Sequence, residues 1–253
     1  MNEIIACEVC GNGSLISVLD LGLHPMCDDL IPINESRVCD KYPIEVYFCE
    51  ECCTAHQKFQ IPKNVLFPES YHYRAHLTPS VLSGMRDLVG SCEQRFGPID
   101  GKIVLDIGCN DGSLLDIFYS KGCSVIGIEP TSAALDSKHK VLNCFFDKES
   151  ANEVLSLVGQ PDIITFTNVF AHIENLIELL DNLKLLIGDN TVVVIENHYL
   201  GSVLQTDQFD TFYHEHPRTY SLKSFKYISK SLGLSLQDVQ FVSRYGGNIR
   251  AYL

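Results

Sequence analysis

The chain has 253 residues, of which 45% are apolar and 20% charged, with a formal net charge of −13 and a pI near 5.0. That balance excludes a disordered tail or linker. The surplus of acid excludes a broad surface for nucleic-acid backbone, which needs clustered lysine and arginine, although one phosphorylated small molecule can still be held locally. Apolar runs such as Thr191 to Ile195 are strand-length, so no membrane span is expected. The opening Met1 to Cys7 lacks a basic start followed by an apolar stretch, so no export signal is expected and cytoplasm is the default compartment. Eleven cysteines in such a chain read as metal ligands before disulfides.

Residues 1–65 hold two CxxC knuckles, Cys7 with Cys10 and Cys49 with Cys52, separated by 38 residues. Two such turns bring four thiolates to one tetrahedral zinc, and four thiolates leave no open position for water, so the metal is expected to be structural. Cys53 is an alternative fourth ligand. Cys27 and Cys39 lack paired spacing and read as spectators, and ordinary burial of the thiols is the competing explanation. Val18 to Gly22 and Ile44 to Phe48 read as short strands of a β-rich lobe whose small core the metal would reinforce.

Residues 66–100 form a connector. Its aromatic and polar start, Phe67 to Arg74, contains Tyr71 and Tyr73, which either pack on the neighbouring domain or contact a substrate. A helix is expected to start at Thr78, with Pro79 just inside it, and to run through Val89.

From residue 101 to 253 the pattern alternates strand, loop and helix. Lys102 to Asp106 reads as a buried strand, Ile107 to Gly112 as a glycine-rich loop, Ser113 to Lys121 as a helix and Ser124 to Ile128 as a second strand ending in Glu129 and Pro130. A cofactor carrying a ribose requires this spacing: Gly108 and Gly112 let it approach the backbone, and Glu129 accepts both ribose hydroxyls. A dinucleotide loop wants GxGxxG to seat a pyrophosphate, whereas Asp106 to Gly112 reads DIGCNDG. Asp106 and Asp111 would repel a pyrophosphate and suit the cationic amino and sulfonium groups of S-adenosylmethionine. Asp106, Gly108, Asn110, Gly112, Glu129 and Pro130 are the candidate contacts, joined by Asn168 and Phe170 at the end of a later strand. His172 beside them is expected to cap the next helix or pack.

Further strands are expected at Cys144 to Phe146, Asp162 to Thr167 and Thr191 to Glu196, with a helix at Ile173 to Leu183. A helix at Leu222 to Leu232, a strand at Val239 to Val242, a turn at Tyr245 to Gly247 and a strand at Asn248 to Leu253 complete the pattern. The fold class is α/β: a doubly wound, mostly parallel sheet of the class I methyltransferase kind, with a small N-terminal zinc-binding β-rich module.

Between the last two long elements lie Tyr213, His214, Glu215 and His216. HxH lacks a third metal ligand at a recognisable spacing. The expectation is an acid-base network in which Glu215 orients and charges a neighbouring imidazole, giving a base poised near neutral pH.

Taken together, the paired CxxC module with Val18 to Gly22 between its knuckles, Asp106 to Ser113, Phe170 to Ile173, Tyr213 to His216 and Gly246 to Arg250 resemble the sugar C-methyltransferases of deoxysugar pathways over nearly the whole chain. The resemblance implies methyl transfer from S-adenosylmethionine to a ring carbon beside the ketone of a nucleotide-linked sugar. It implies Tyr213, Glu215 and His216 as the catalytic group, His216 as the base, and Tyr71 or Tyr73 near the substrate. Members of that family continue into a further C-terminal domain that helps bind the nucleotide sugar, whereas here the chain ends at Leu253, so either a fragment or a shortened relative with an altered acceptor is expected. Methylation at carbon or at a hydroxyl oxygen stays open. The competing readings are another small-molecule acceptor and a non-catalytic zinc-containing partner in a modification complex; intact Asp106, Gly108, Gly112 and Glu129 speak against the latter.

Overall fold

The computed structural model describes residues 1–69 and 71–253; Ser70, in the aromatic connector, lies outside the described residues. The first residues are tied down by pairing of β1 (Asn2–Glu3) with β5 (Phe59–Gln60). Between them, β2 (Ile16–Pro25), β3 (Lys41–Cys49) and β4 (Thr54–Gln57) form an antiparallel sheet. β2 and β3 extend beyond the expected Val18 to Gly22 and Ile44 to Phe48, and β2 is bulged at two places.

A short helix, α1 (Lys63–Leu66), leads to α2 (Pro79–Phe96). Thr78 is the N-cap and Pro79 opens the helix, where its missing N–H is no loss. Val81, Met85, Leu88, Val89 and Cys92 recur at helical spacing and bury one face of α2 against Val104, Leu114, Phe118 and Tyr252.

The cofactor-type domain runs β6 (Ile103–Ile107), α3 (Ser113–Ser120), β7 (Ser124–Ile128), β8 (Val141–Leu142), α4 (Lys148–Val158), β9 (Ile163–Thr167), α5 (Leu176–Leu186) and β10 (Val192–His198). It continues through α6 (Leu200–Gln205), β11 (Arg218–Thr219), α7 (Leu222–Ser231), β12 (Asp238–Val242) and β13 (Asn248–Tyr252). Seven strands lie in the order β12-β13-β10-β9-β6-β7-β8. Pairing is parallel from β10 to β8 and antiparallel at β13 and β12. The chain steps from β6 outward to β8, then crosses back to β9, so the winding reverses between β6 and β9. Ligands belong at the carboxyl ends of the strands at such a reversal.

Two expectations are corrected here, and one helix goes beyond them. Cys144 to Phe146 is not a strand: β8 stops at Leu142, because Asn143 turns its side-chain amide to the carbonyls of Glu129 and Thr131 at 2.8 and 2.9 Å and leads the chain out of the sheet. The following α4 was not anticipated; its start is a capping box made by Asp147 and Ser150. The helix expected from Ile173 starts at Leu176, because the Asn175 side chain accepts the Glu178 N–H and fixes the N-terminus there.

β11 leaves the large domain and pairs with β4, so the N-terminal sheet has the order β11-β4-β3-β2. Arg218, the first residue of β11, is 1% exposed. Its guanidinium donates to the Glu8 carboxylate at 2.5 Å and to the Glu174 carbonyl at 2.9 Å. Burial opposes a charge at Glu8, yet the attraction of Arg218 prevails and holds this carboxyl down at about 2. Among the described residues no helix is long and apolar enough to cross a membrane.

Candidate active site and metal centre

The two knuckles meet. The sulfurs of Cys7, Cys10, Cys49 and Cys52 all lie within 4.8 Å of one another. Cys7 Sγ is 3.3 Å from Cys52 Sγ, and Cys10 Sγ is 3.6 Å from Cys49 Sγ. A zinc ion with bonds of about 2.3 Å to four sulfurs needs edges of about 3.8 Å, so the cluster fits that ion with little movement. Gly11 closes the first knuckle at φ 77, with its N–H donating to the Cys7 carbonyl at 2.8 Å. Cys52 occupies the fourth corner; Cys53 turns away at φ 54, with its sulfur toward the Glu50 carbonyl. His56 Nε2 at 3.2 Å from Cys7 Sγ and Thr54 Oγ1 at 3.0 Å from Cys52 Sγ supply the outer contacts that steady thiolate ligands.

A cavity of about 330 Å³ opens at the carboxyl ends of β6, β7, β9 and β10. Asp106, Gly108, Asn110, Glu129, Pro130 and Asn168 line it. Gly108 sits at φ 74, and a Cβ there would lie 2.5 Å from the Val169 side chain, so only glycine leaves the loop in this path. The Glu129 carboxylate is fixed by the Asn110 N–H at 3.0 Å and by the Thr131 N–H and hydroxyl at 2.9 and 2.6 Å. Asp106 accepts the Thr165 hydroxyl at 2.6 Å, and burial, with nearby Glu129, pushes its carboxyl up to about 7. A cation brought beside Asp106 would restore its charge.

Gly112, Phe170 and Asp111 are placed differently from expectation. Gly112 caps α3 in the left-handed region at φ 79 and packs on Ser137 outside the cavity wall. Phe170 is fully buried in the core, 5.3 Å from the Phe166 ring and 5.6 Å from Tyr220, because the chain turns at Asn168 (φ 55) and sends this ring inward. Asp111 faces away from the cavity: it accepts from Ser113 and from the His76 N–H and imidazole, and these bonds outweigh burial to lower its carboxyl. Among the described residues, Thr167, Asn168, His172 and Arg244 of the cavity wall each hold a buried polar atom without a partner, as walls built for a polar ligand do. The residues therefore fit S-adenosylmethionine, which carries charged groups at one end and a ribose in the middle. Sequence reasoning missed Lys63, Phe145, Phe146, His198, Arg244 and Tyr245 in the same wall. None belongs to a local motif, and Phe145 and Phe146 were hidden by being read as strand.

Tyr213, Glu215 and His216 line this cavity too, whereas His214 turns to the N-terminal sheet, with Nε2 3.2 Å from the Tyr42 carbonyl. His214 and His216 thus face different surroundings and share no metal position. His216 Nδ1 donates to the Thr211 carbonyl at 2.9 Å, which leaves the Nε2 lone pair to accept the Tyr213 hydroxyl at 3.2 Å. Burial and the rings of His172 and His198, centred 4.8 and 5.1 Å away, hold His216 neutral, well below the ordinary imidazole range. His172 packs between Phe67 and His216 and caps no helix; burial lowers it to about 4.

The expected pairing of Glu215 with an imidazole is corrected. Its Oε1 accepts the Cys27 thiol at 2.9 Å and its Oε2 accepts the Tyr71 hydroxyl at 3.5 Å. Adjacent side chains diverge in the tight turn closed by the His216 N–H on the Tyr213 carbonyl at 3.0 Å. Burial, with the negative charge of nearby Asp28, outweighs these two bonds and pushes the Glu215 carboxyl up to about 7. Cys27 stays outside the zinc cluster, as expected, and the loop that joins β2 to β3 carries it against Glu215.

Residues 83–239 match the family model described as "Methyltransferase domain", and residues 7–67 match one described as "Putative zinc binding domain". The C-methyltransferase NovU of Streptomyces niveus is 30% identical over 254 residues, a match that takes in 98% of this chain. The chain spans 60% of the length of that curated relative. Among solved structures, the PH0226 protein of Pyrococcus horikoshii OT3 superposes with a TM-score of 0.53 at 12% identity, over 75% of this chain and 96% of that one. A chain of the complex between the Haloferax volcanii "Trm112 methyltransferase activator and the putative methyltransferase" gives 0.51 at 11% identity, over 69% and 94%. These two show the fold. With a methyltransferase model matched over well over half of its residues, on a class I fold that binds S-adenosylmethionine, this chain belongs to the methyltransferase family and carries a zinc-binding domain before its cofactor cleft.

Proposed function

We propose that the protein transfers a methyl group to a carbon beside the ketone of a nucleotide-linked sugar, in the cytoplasm. The observation that carries this reading is one cavity lined both by the cofactor loop and by Glu215, a carboxyl whose proton affinity matches neutral pH. When bound, S-adenosylmethionine supplies the methyl group. Asp106 and Glu129 hold its cationic and ribose portions, and Gly108 keeps the backbone low enough for it to enter. Glu215, ionised above pH 7, takes the proton from the carbon next to the ketone, and the electron pair is delocalised on to the ketone oxygen. Tyr71 and Tyr213, neutral hydroxyls on the same wall, would donate to that oxygen on turning their protons away from Glu215 and His216. His216 holds Tyr213 in position through Nε2. This reassigns the base from His216, which the family resemblance implied, because a buried imidazole far below its usual affinity is a weak proton acceptor. The name of the 30% identical relative, a C-methyltransferase, supports carbon as the atom methylated.

Mass spectrometry of the protein incubated with S-adenosylmethionine and nucleotide sugars, with and without a 4-keto group, tests the reading. Methyl gain confined to keto sugars, with solvent deuterium entering the adjacent carbon, is expected. Gain on fully hydroxylated sugars would replace it with O-methylation, and gain on neither would overturn the sugar assignment.

A further inference from the structure

Arg244 has no part in the chemistry described above, yet it lines the same cavity. It stands between β12 and β13, in a short 3-10 turn whose next residue, Tyr245, is held in the left-handed region at φ 51. The guanidinium lies 5.2 Å from the Tyr245 ring centre and crosses α2 where Gly84 leaves room for it. Its side chain is 9% exposed. Among the described residues its one ion-pair contact is Nη1 to Glu196 Oε1 at 3.2 Å, and its buried Nε has no partner. Glu196 is already engaged: Oε2 accepts Arg250 Nε at 2.7 Å, and Oε1 also accepts Asn248 Nδ2 at 3.3 Å. One buried carboxylate thus serves two guanidiniums. The other acid near them, Asp87, is 69% exposed and contacts Arg250, not Arg244. A buried cation with an unused donor on a cavity wall is a receptor for an anion.

The order of the strands says which anion. Across the sheet from β13 to β8, the cavity wall presents Arg244, then Asn168 and Asp106, then Glu129, then Phe145 and Phe146. S-adenosylmethionine carries, in order, a carboxylate, an ammonium with the sulfonium, a ribose and an aromatic base. Asp106 suits the cations but would repel a carboxylate, so the carboxylate needs a cation of its own on the side away from the ribose. The remaining basic side chain in the wall, Lys63, lies 4.9 Å over the Phe145 ring at the far end. We propose that Arg244 binds the carboxylate of the methionine end of S-adenosylmethionine, an inference that rests on the methyltransferase reading of the cavity.

Calorimetric titration of the whole chain tests this with S-adenosylhomocysteine, which has the carboxylate, and with methylthioadenosine, which lacks both carboxylate and ammonium. In Arg244→Gln the affinity for S-adenosylhomocysteine is expected to fall about ten- to a hundredfold, the worth of a charge-assisted contact, while methylthioadenosine stays within about twofold. Arg244→Lys, which keeps the charge, is expected to recover part of the loss, and equal melting temperatures for the three proteins exclude unfolding as the cause. An equal fall for both ligands, or none, overturns the assignment. Loss of thymidine diphosphate binding with S-adenosylhomocysteine unaffected would give the guanidinium to a phosphate and overturn it as well. Failure of the unaltered protein to bind S-adenosylhomocysteine would remove the methyltransferase reading itself, and the assignment with it.

Discussion

Glu215 shows how a single residue sets both activity and stability. Its ordinary carboxyl value is 4.5 and burial takes it to about 7, so the folded protein binds this proton more tightly than the unfolded chain. Stability from this group is full at low pH and is lost as pH rises through 7, by up to on the order of 3 kcal/mol. Activity should run the other way, because only the ionised carboxylate accepts a proton. The kcat/KM profile is expected to rise with an apparent pKa near 7; a limb far below 6 would return the base to His216. Glu215→Gln should lower kcat at least about a hundredfold. It should also melt higher than the unaltered protein at pH 8 and together with it at pH 5, which a pH series of melting curves would check. Cys27 would not have been found from sequence, since it meets Glu215 across 188 residues of chain and belongs to no spaced motif. The cluster Tyr213 to His216 was legible because its residues are adjacent, but adjacency says nothing about where neighbouring side chains point in a turn.

At the scale of elements, α2 is a wall of the site as well as a cover for the sheet. A Cβ on Gly84 would lie 2.5 Å from Arg244 Cδ and 3.0 Å from its Nη1. Gly84→Ala removes a poor helix former, which is worth about 1 kcal/mol of stability, and the atoms it strikes belong to the flexible end of a side chain. The variant is therefore expected to melt no lower than the parent and to bind S-adenosylhomocysteine about five- to tenfold more weakly, on the energy scale of a displaced charge-assisted contact; unchanged binding would show that Arg244 is not needed where it stands. Elements with local signals were legible. The loop from Asp106 to Gly112 and the strand leading to Glu129 follow a short-range grammar of apolar run, glycine and acid. β8 was misplaced because two phenylalanines look like strand, while the signal that ended it was one asparagine bonding across to the loop after β7. α4 was missed because its capping box uses Ser150, where a glutamate or glutamine would announce a helix start.

Over the whole molecule, the zinc-binding domain and the cofactor domain are one structure. β11 completes the N-terminal sheet, and Arg218 is buried against Glu8, the residue after the first zinc ligand. Glu8→Gln would leave that guanidinium without its carboxylate, at a cost of about 3 kcal/mol or more, read as a shift in the urea midpoint. Cys52→Ser, or removal of zinc by a chelator, should unfold the module and lower methyl transfer at least about tenfold through β4 and β11, although no zinc ligand lines the cavity. Zinc content and activity measured on the same samples would check the link; full activity in zinc-free protein would refute it. The two CxxC pairs foretold the module, but nothing in the spacing foretold that a strand beyond residue 215 would finish its sheet.

The loop carrying Cys27 and the turn carrying Glu215 bear on how such proteins diversify. Each side of this contact lies in a different domain, so neither can drift or be exchanged on its own without disturbing the other. A chimera taking residues 1–65 from one relative and the rest from another should lose turnover while keeping its cofactor affinity, unless residues 208–220 travel with the N-terminal part. Inheritance in this family would then follow the three-dimensional seam and not the linear boundary between domains.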